Sequence, residues 1–483
     1  MPLKLDYDAV IVGAGPNGLA AAVRLAQAGL FTLLIEGNPN IGGACRTAPL
    51  TLPGFRHDLG SAVHPLTAAS PFFKTLGLER FGLNWVLPDI PLAHPLAGEP
   101  AAVLLRSSSE TASDLDESIY ALVFDPLIRT GDRLLNEILR PLIHLPQYPI
   151  TLGRFGALAG LPATVFWRGF RRTRSQALIA GLAAHSFLPL ERLGSAAFAL
   201  VLGLLGHMTG WPIPRGGAQS IANALGRVLT QLGGHIQTGH WVRELDELPP
   251  SRVILLDVTP RQFLAIANSK LSCSYRSALE RFPYGTGLFK VDYALSSPVP
   301  WTDERCRRAG TIHLGATAPE IARAERQAAA GKVPDAPFVL VSQPSVFDPT
   351  RAPAGKHVLW TYCHVPAGFS GDATERIEGQ LERFAPGFRD CVLARASFNA
   401  EALTSQNPNL VDGTLNGGAN GLWQLLARPT WSLHPYQTPL RGVFLCSSST
   451  PPGAAVHGMC GFHAAETAIR YLRMGRRWDG WDR

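Results

Sequence analysis

Three glycines and a carboxylate carry the first chemistry of this 483-residue chain. Gly13, Gly15 and Gly18 follow the short apolar run Asp8-Ala-Val-Ile-Val and open the stretch Pro16-Asn17-Gly18-Leu-Ala-Ala-Ala. The spacing is that of a dinucleotide loop: one glycine for the turn, one for backbone approach to a pyrophosphate, one for helix–strand packing. The helix that starts there offers free N–H groups and a positive dipole end to phosphate. A second apolar run, Phe31–Ile35, ends in Glu36, where a carboxylate can accept from ribose hydroxyls. A bound dinucleotide is the first expectation.

The next residues narrow the choice of cofactor. Gly42, Gly43 and Arg46 follow, and then Phe55-Arg-His57-Asp58-Leu-Gly60. This second glycine pair, with its arginine and return strand, resembles the extended FAD fingerprint of the flavin amine oxidase and phytoene desaturase superfamily. Near the C-terminus an apolar strand, Gly442–Cys446, runs into Ser447-Ser448-Ser449-Thr450-Pro-Pro-Gly453-Ala-Ala-Val456-His457-Gly458-Met459-Cys460-Gly461 and a helix. In the superfamily this helix N-terminus faces the flavin pyrimidine edge, where reduction builds negative charge. The resemblance covers nearly the whole chain. It is closest to the bacterial phytoene-desaturase-like oxidoreductases, the group related to the animal mitochondrial pyridine nucleotide-disulphide oxidoreductase domain protein. Its marks are Leu52-Pro-Gly-Phe-Arg-His-Asp-Leu-Gly-Ser-Ala-Val-His64, Phe289-Lys-Val-Asp-Tyr-Ala-Leu295 and the C-terminal loop. It implies FAD contacts from Gly13, Gly15, Pro16, Asn17, Gly18, Glu36, Gly42, Gly43, Arg46, Ser61, Val242, Ser448, Gly453, Val456, His457, Gly458 and Met459. Amine oxidases carry an acidic residue where Ser448 stands.

Three residues are candidates for catalysis. Lys290 lies in Gly-Leu-Phe-Lys290-Val-Asp292, which resembles the strand whose lysine holds a water near flavin N5 in amine oxidases. A desolvated lysine there has a lowered pKa; a sheet lysine paired with Asp292, two residues on and on the same face, is the competing reading. His57 and His64 flank the strand expected to pass the isoalloxazine, as proton donors or acceptors or as satisfied structural histidines. At the C-terminal helix, the dipole favours a neutral His457. Cys45 and Cys460 lie near the cofactor segments, but not where amine oxidases attach flavin.

Those residues need elements to hold them. The reading is an α/β protein: a FAD-binding Rossmann-like domain of glutathione-reductase type assembled from 1–85, 211–270 and 431–475, and a substrate domain. The latter has a helical part, 86–210, and a mixed-sheet part, 271–430. Helices are expected around Ser118–Leu142, Ser175–Phe187 and Leu193–Met208, and strands at Ile254–Val258, Leu288–Leu295, Phe338–Gln343 and His357–His364. The Gly233–Gly239 segment is expected to lead into a strand holding Val242.

Composition bounds the rest. Hydrophobic residues are 46% and charged residues 17%, ample for a core and wrong for a disordered chain. The net charge is +7, but the basic residues are scattered, with knots at Arg168–Arg174 and Arg470–Arg477; this excludes a nucleic-acid partner and fits solvated faces or an anionic membrane surface. Seven cysteines without a CxxC pair predict buried thiols in a reducing, cytoplasmic setting and no metal site. Residues 1–8 lead straight into a strand, which predicts no signal peptide. No apolar stretch reaches the roughly 20 residues of a membrane span. There is no second dinucleotide loop, so electrons are expected to pass to or from a transient NAD(P), quinone or dioxygen. The function expected is hydride transfer between flavin N5 and a carbon of a small lipophilic, polyene- or isoprenoid-like substrate, as desaturation, saturation or redox-assisted isomerisation. An amine oxidase-like enzyme and a non-catalytic flavoprotein are the alternatives.

Overall fold

The computed structural model describes residues 6–475. The first five residues, and Arg476 and Arg477 of the C-terminal basic knot, lie outside the described residues.

Two sheets organise the chain. In chain order the first sheet uses β1 (Tyr7–Val12), β2 (Thr32–Ile35), β5 (His235–Gln237), β6 (Ser251–Leu256) and β12 (Val443–Leu445). Their spatial order is β12-β6-β1-β2-β5, all parallel. A parallel sheet is covered on both faces, which is why its strands read as unbroken apolar runs. Ala9, Ile11, Leu34 and Leu255 pack on the side of α1 (Pro16–Gln27) and the C-terminal helix Met459–Arg473, while Val10, Leu33, Ile35 and Leu256 pack on the other side with Leu245 and Phe263.

The second sheet has seven strands in the order β11-β7-β10-β9-β8-β3-β4: Val392–Phe398, Gly287–Leu295, His357–Val365, Val339–Ser342, Ala309–Leu314, Ile90–Leu96 and Glu99–Leu104. All its neighbours are antiparallel except β8 and β3. One face packs Phe289, Val291, Val341 and Leu359 against the helix Thr374–Phe384. The other face turns Trp360, Tyr362 and Leu340 toward the helices Thr173–Ala184 and Ser195–Met208.

One expectation is refined and one corrected here. The segment 86–210 is mostly helical, as expected, but its first part is the hairpin β3–β4, joined at Gly98 with φ +77°. Pro91 and Pro95 forbid a helix there, and the register shift between His94 and Leu96 accommodates Pro95, which cannot donate to the ladder. Val242 is not in a strand either. β5 stops at Gln237, because Gly239 at φ +74° turns the chain, and Val242 is a buried loop residue packed with Leu245.

Candidate active site

The glycine loop is built as the spacing requires, with one added participant. Gly13 sits at φ +97°, a conformation only glycine takes readily. A Cβ on Gly18 would lie 1.9 Å from the Gly13 carbonyl oxygen, so the third glycine lets α1 close on the turn. A Cβ on Gly15 would lie 2.7 Å from Asp257 Oδ2. Asp257, at the end of β6, accepts from the Gly18 N–H at 2.9 Å. Burial pushes its carboxyl up to about 7; Glu36 adds to the rise and the Gly18 contact opposes it. Asp257 was not foreseen, although an acid directly after Ile-Leu-Leu at a strand end is a legible signal.

Glu36 is buried and holds the loop: its Oε2 accepts from the Ala14 N–H at 2.8 Å and its Oε1 from the Asn38 N–H at 2.8 Å. Gly42 at φ +124° and Gly43 at φ +56° bring the second glycine pair onto the first, a Cβ on Gly43 falling 3.0 Å from Gly15 Cα. Arg46 fixes this turn, its Nε donating to the Gly43 carbonyl and its Nη2 to that of Gln406, each at 2.9 Å.

The C-terminal loop arrives from the other side. Gly453 (φ +108°) and Gly458 (φ +68°) turn it, and Gly458 caps the helix that begins at Met459. A Cβ on Gly461 would lie 1.8 Å from the Asn17 carbonyl oxygen, so this helix and α1 meet at their N-terminal ends. Thr67 Oγ1 donates to the Val456 carbonyl at 2.5 Å, and Ser70 Oγ to that of His457 at 2.7 Å. The fully buried Arg428 also escaped the sequence reading. Its Nη1 donates to the Ser448 carbonyl at 3.3 Å and its Nη2 to that of Ala419 at 2.9 Å.

His457 Nδ1 accepts the Met459 N–H at 3.0 Å, which places the ring proton on Nε2. Burial brings its pKa down to about 4, so it is neutral. That Nε2 and the Oδ1 of Asn17, beside Pro16 in the first turn of α1, are buried without a protein partner. Two glycine cradles, two helix N-termini and these two orphaned polar atoms converge, which fits a bound dinucleotide. The cofactor's ring would find a neutral donor at His457.

Asn17, Ser61, His64, Ser448 and His457 border a cavity of about 660 Å³. Its walls include Leu142, Leu152, Phe155, Phe198, Val201 and Leu202, and it is also lined by His185, Phe187, Trp211, Thr311, Trp360 and Tyr362. No Asp, Glu, Lys or Arg lines it. His64 Nε2 donates to the Ser61 carbonyl at 2.9 Å, and burial brings its pKa down to about 4. Ser61 Oγ turns to the Val63 carbonyl at 2.8 Å. Cys45 lies on the cavity wall with its thiol pushed up by burial, and Cys460 is pushed up to about 12 while donating to the Thr450 and Gly453 carbonyls. Neither is a ready thiolate nucleophile.

Lys290 and His57 do not line the cavity, although Lys290 lies beside Tyr362 on the same face of the sheet, one strand further on. Lys290 is directly opposite Tyr362 in the sheet and pairs with Asp292, itself opposite Trp360. Asp292 Oδ1 is 3.7 Å from His57 Nδ1, and the adjoining Asp58 accepts from Arg351 at 2.7 Å and from Thr47 Oγ1 at 2.7 Å. Burial lowers the Lys290 pKa and raises that of Asp292 to about 6, while their contact opposes both shifts. Burial, then Lys290 and Arg351, bring His57 down to about 3. The pairing of Lys290 with Asp292 is therefore present, but in a sealed cluster and not on an open sheet face.

No group of three or more His, Cys, Asp or Glu among the described residues is arranged to hold a metal ion.

Residues 11–76 match the NAD(P)-binding Rossmann-like domain family. The chain is 25% identical to pyridine nucleotide-disulfide oxidoreductase domain-containing protein 2 of Rattus norvegicus, covering 98% of this chain and 94% of that one. It is 23% identical to the neurosporene-forming phytoene desaturase of Rhodobacter capsulatus, over 94% of this chain and 92% of that one. Among solved structures, cyclohexylamine oxidase from Brevibacterium oxydans superposes with a TM-score of 0.58 at 16% identity, over 97% of this chain and 100% of that one. With its dinucleotide cradle, its two-sheet fold and full-length similarity of this kind, the chain is an FAD-dependent oxidoreductase that resembles the phytoene desaturases.

Proposed function

We propose that the enzyme exchanges hydride between FAD and a carbon of a neutral lipophilic substrate of polyene or isoprenoid type, forming, removing or shifting a C=C bond. The observation that carries this reading is the cavity: it reaches from His64, Ser448 and His457 into the helical part, and no charged side chain lines it. FAD, when bound, supplies hydride acceptance or donation at N5. The chain's own residues supply the rest. Leu142, Phe155 and Val201 exclude water and orient an apolar chain, and His457 Nε2–H and Asn17 hold polar atoms toward the cofactor. A cationic amine would meet no carboxylate in this lining, which favours the neutral substrate over an amine.

The electron partner is proposed to be a transient NAD(P), quinone or dioxygen. Peripheral contact with a membrane surface is proposed as the source of substrate. Leu145 and Ile150 are 92% and 72% exposed next to the cavity-lining Leu142 and Leu152, and Trp423 is exposed beside Leu422.

Filling the cavity tests the reading. Ala197→Trp, on the lining, should retain FAD but slow flavin reduction or reoxidation by neutral isoprenoids about ten-fold or more, a loss of about 1.4 kcal/mol in barrier terms. An unchanged rate in a variant with its cavity filled would contradict it.

A further inference from the structure

The part of the cavity wall formed by the second sheet is polar where an apolar tunnel would be expected to close on aliphatic side chains. The sheet register sets this. Thr311 on β8, Ser342 on β9 and Trp360 on β10 stand opposite one another in a single row, with side chains on the cavity face. The next row places His313 beside Leu340 and Tyr362. Thr311 Oγ1 and Trp360 Nε1 are buried without a hydrogen-bond partner, in residues that are 1% and 4% exposed and line the cavity. Above them, His185 presents its Nε2 to His313 Nε2 at 3.0 Å, which leaves Nδ1 as the ring nitrogen free to serve the cavity. Burial brings the His185 pKa down to about 3, so it is a neutral hydrogen-bonding group.

Unpaired buried donors are costly and are retained where a ligand satisfies them. An indole N–H only donates, so the missing partner must carry an acceptor. The hydroxyl and the imidazole either donate or accept. No cationic side chain is present in the lining to match a carboxylate or phosphate. Two bulky residues at this corner, Phe187 (φ +57°) and Trp211 (φ +54°), are held in the left-handed region, a strain that surrounding structure must impose and that clusters at ligand sites.

We propose that Thr311, Trp360 and His185 form a polar subsite that binds a neutral oxygen function, a carbonyl or hydroxyl, of an otherwise apolar substrate. This rests on the lipophilic-substrate reading above and narrows it: the substrate class is an oxygenated amphiphile rather than a pure hydrocarbon. With its oxygen anchored at this wall, the apolar part of the substrate is left to pack on Leu142, Phe155 and Val201.

A matched pair of probes tests it, undecan-2-one against n-undecane, titrated into the FAD-loaded enzyme and read by the flavin difference spectrum. An apolar cavity would favour the alkane, because the ketone gives up hydration on entry. The subsite predicts the reverse, the ketone binding about ten-fold tighter or more. The near-isosteric Thr311→Val and, separately, Trp360→Phe should each cut that preference about three-fold or more and leave undecane affinity within about two-fold, since each removes one hydrogen bond. Equal binding of the two probes, or variants that weaken both alike, would overturn the subsite while leaving the lipophilic cavity standing. If neither probe binds, the lipophilic-substrate reading falls and the subsite with it.

Discussion

Asp257 ties the charge state of the protein to its cofactor. The carboxyl sits under the phosphate-facing glycine loop, bonded to the Gly18 N–H, and its pKa is raised to about 7, chiefly by burial. Below that pH it is neutral; above it, an anion lies beneath the place where a pyrophosphate would rest. FAD affinity should therefore fall as pH rises through about 7, and Asp257→Asn should flatten this dependence. Equilibrium titration of apoprotein with FAD at pH 6 and pH 8 checks it. Lys290 makes a second prediction at this scale. Lys290→Met strands Asp292 in a sealed site, at a cost of about 3 kcal/mol. The folded-state pKa of Asp292, already raised to about 6, rises further without the lysine. A raised acid binds its proton better in the folded state, so that stability is present at low pH and is lost as pH rises through the folded value. Urea unfolding should thus show a larger loss at pH 8 than at pH 5, and Lys290→Met/Asp292→Leu should recover most of it. A pH-independent loss would place the lysine's role outside this pair.

Among the elements, the approach of α1 to the C-terminal helix decides whether the cofactor cradle closes. Gly461→Ala would set a methyl 1.8 Å from the Asn17 carbonyl oxygen. Alanine favours a helix by up to about 1 kcal/mol over glycine, but forcing the helices apart costs about 2–3 kcal/mol. A net loss of stability and of FAD retention is expected on thermal melts. Gly379→Ala, in the helix Thr374–Phe384 with nothing near its Cβ, should instead be neutral or stabilising. The dinucleotide strands and glycine turns were legible because their signals are local: a run of apolar residues, a Gly spacing, a carboxylate at a strand end. The hairpin Ile90–Leu104 was hidden by the helical periodicity downstream of it, although Pro91, Pro95 and Gly98 argue against a helix. What no local pattern reveals is which distant side chains meet. Arg428 under Ser448, Arg351 on Asp58 and His185 on His313 are separated in sequence by 20, 293 and 128 residues. Lys290 was found by its strand motif, but its burial beside Tyr362 depends on sheet register alone.

At the scale of the molecule, no helix among the described residues is long and apolar enough to cross a membrane. The basic knot at Arg168–Arg174 has part of its charge engaged: Arg172 pairs with Asp116 and Arg174 with Asp114. The exposed Leu145, Ile150 and Trp423 beside the cavity are better placed. Leu145→Glu/Ile150→Glu should lower sedimentation with anionic lipid vesicles several-fold, and high salt should weaken wild-type binding less than this variant does, because apolar insertion is not screened. Binding that vanishes in salt and ignores the variant would assign docking to charge instead.

The central claim is that an uncharged cavity delivers a neutral lipophile to the flavin, and one comparison addresses it most directly. Oxidised, FAD-loaded enzyme is mixed anaerobically with geraniol or with geranylamine, which share a carbon skeleton and differ in whether the polar group is a neutral hydroxyl or an ionisable amine, and the oxidised flavin band is followed by stopped flow. Bleaching by geraniol at least about ten-fold faster than by geranylamine, a difference of about 1.4 kcal/mol, is the result this structure predicts. Bleaching by the amine with none by the alcohol would contradict it and return the enzyme to amine oxidation.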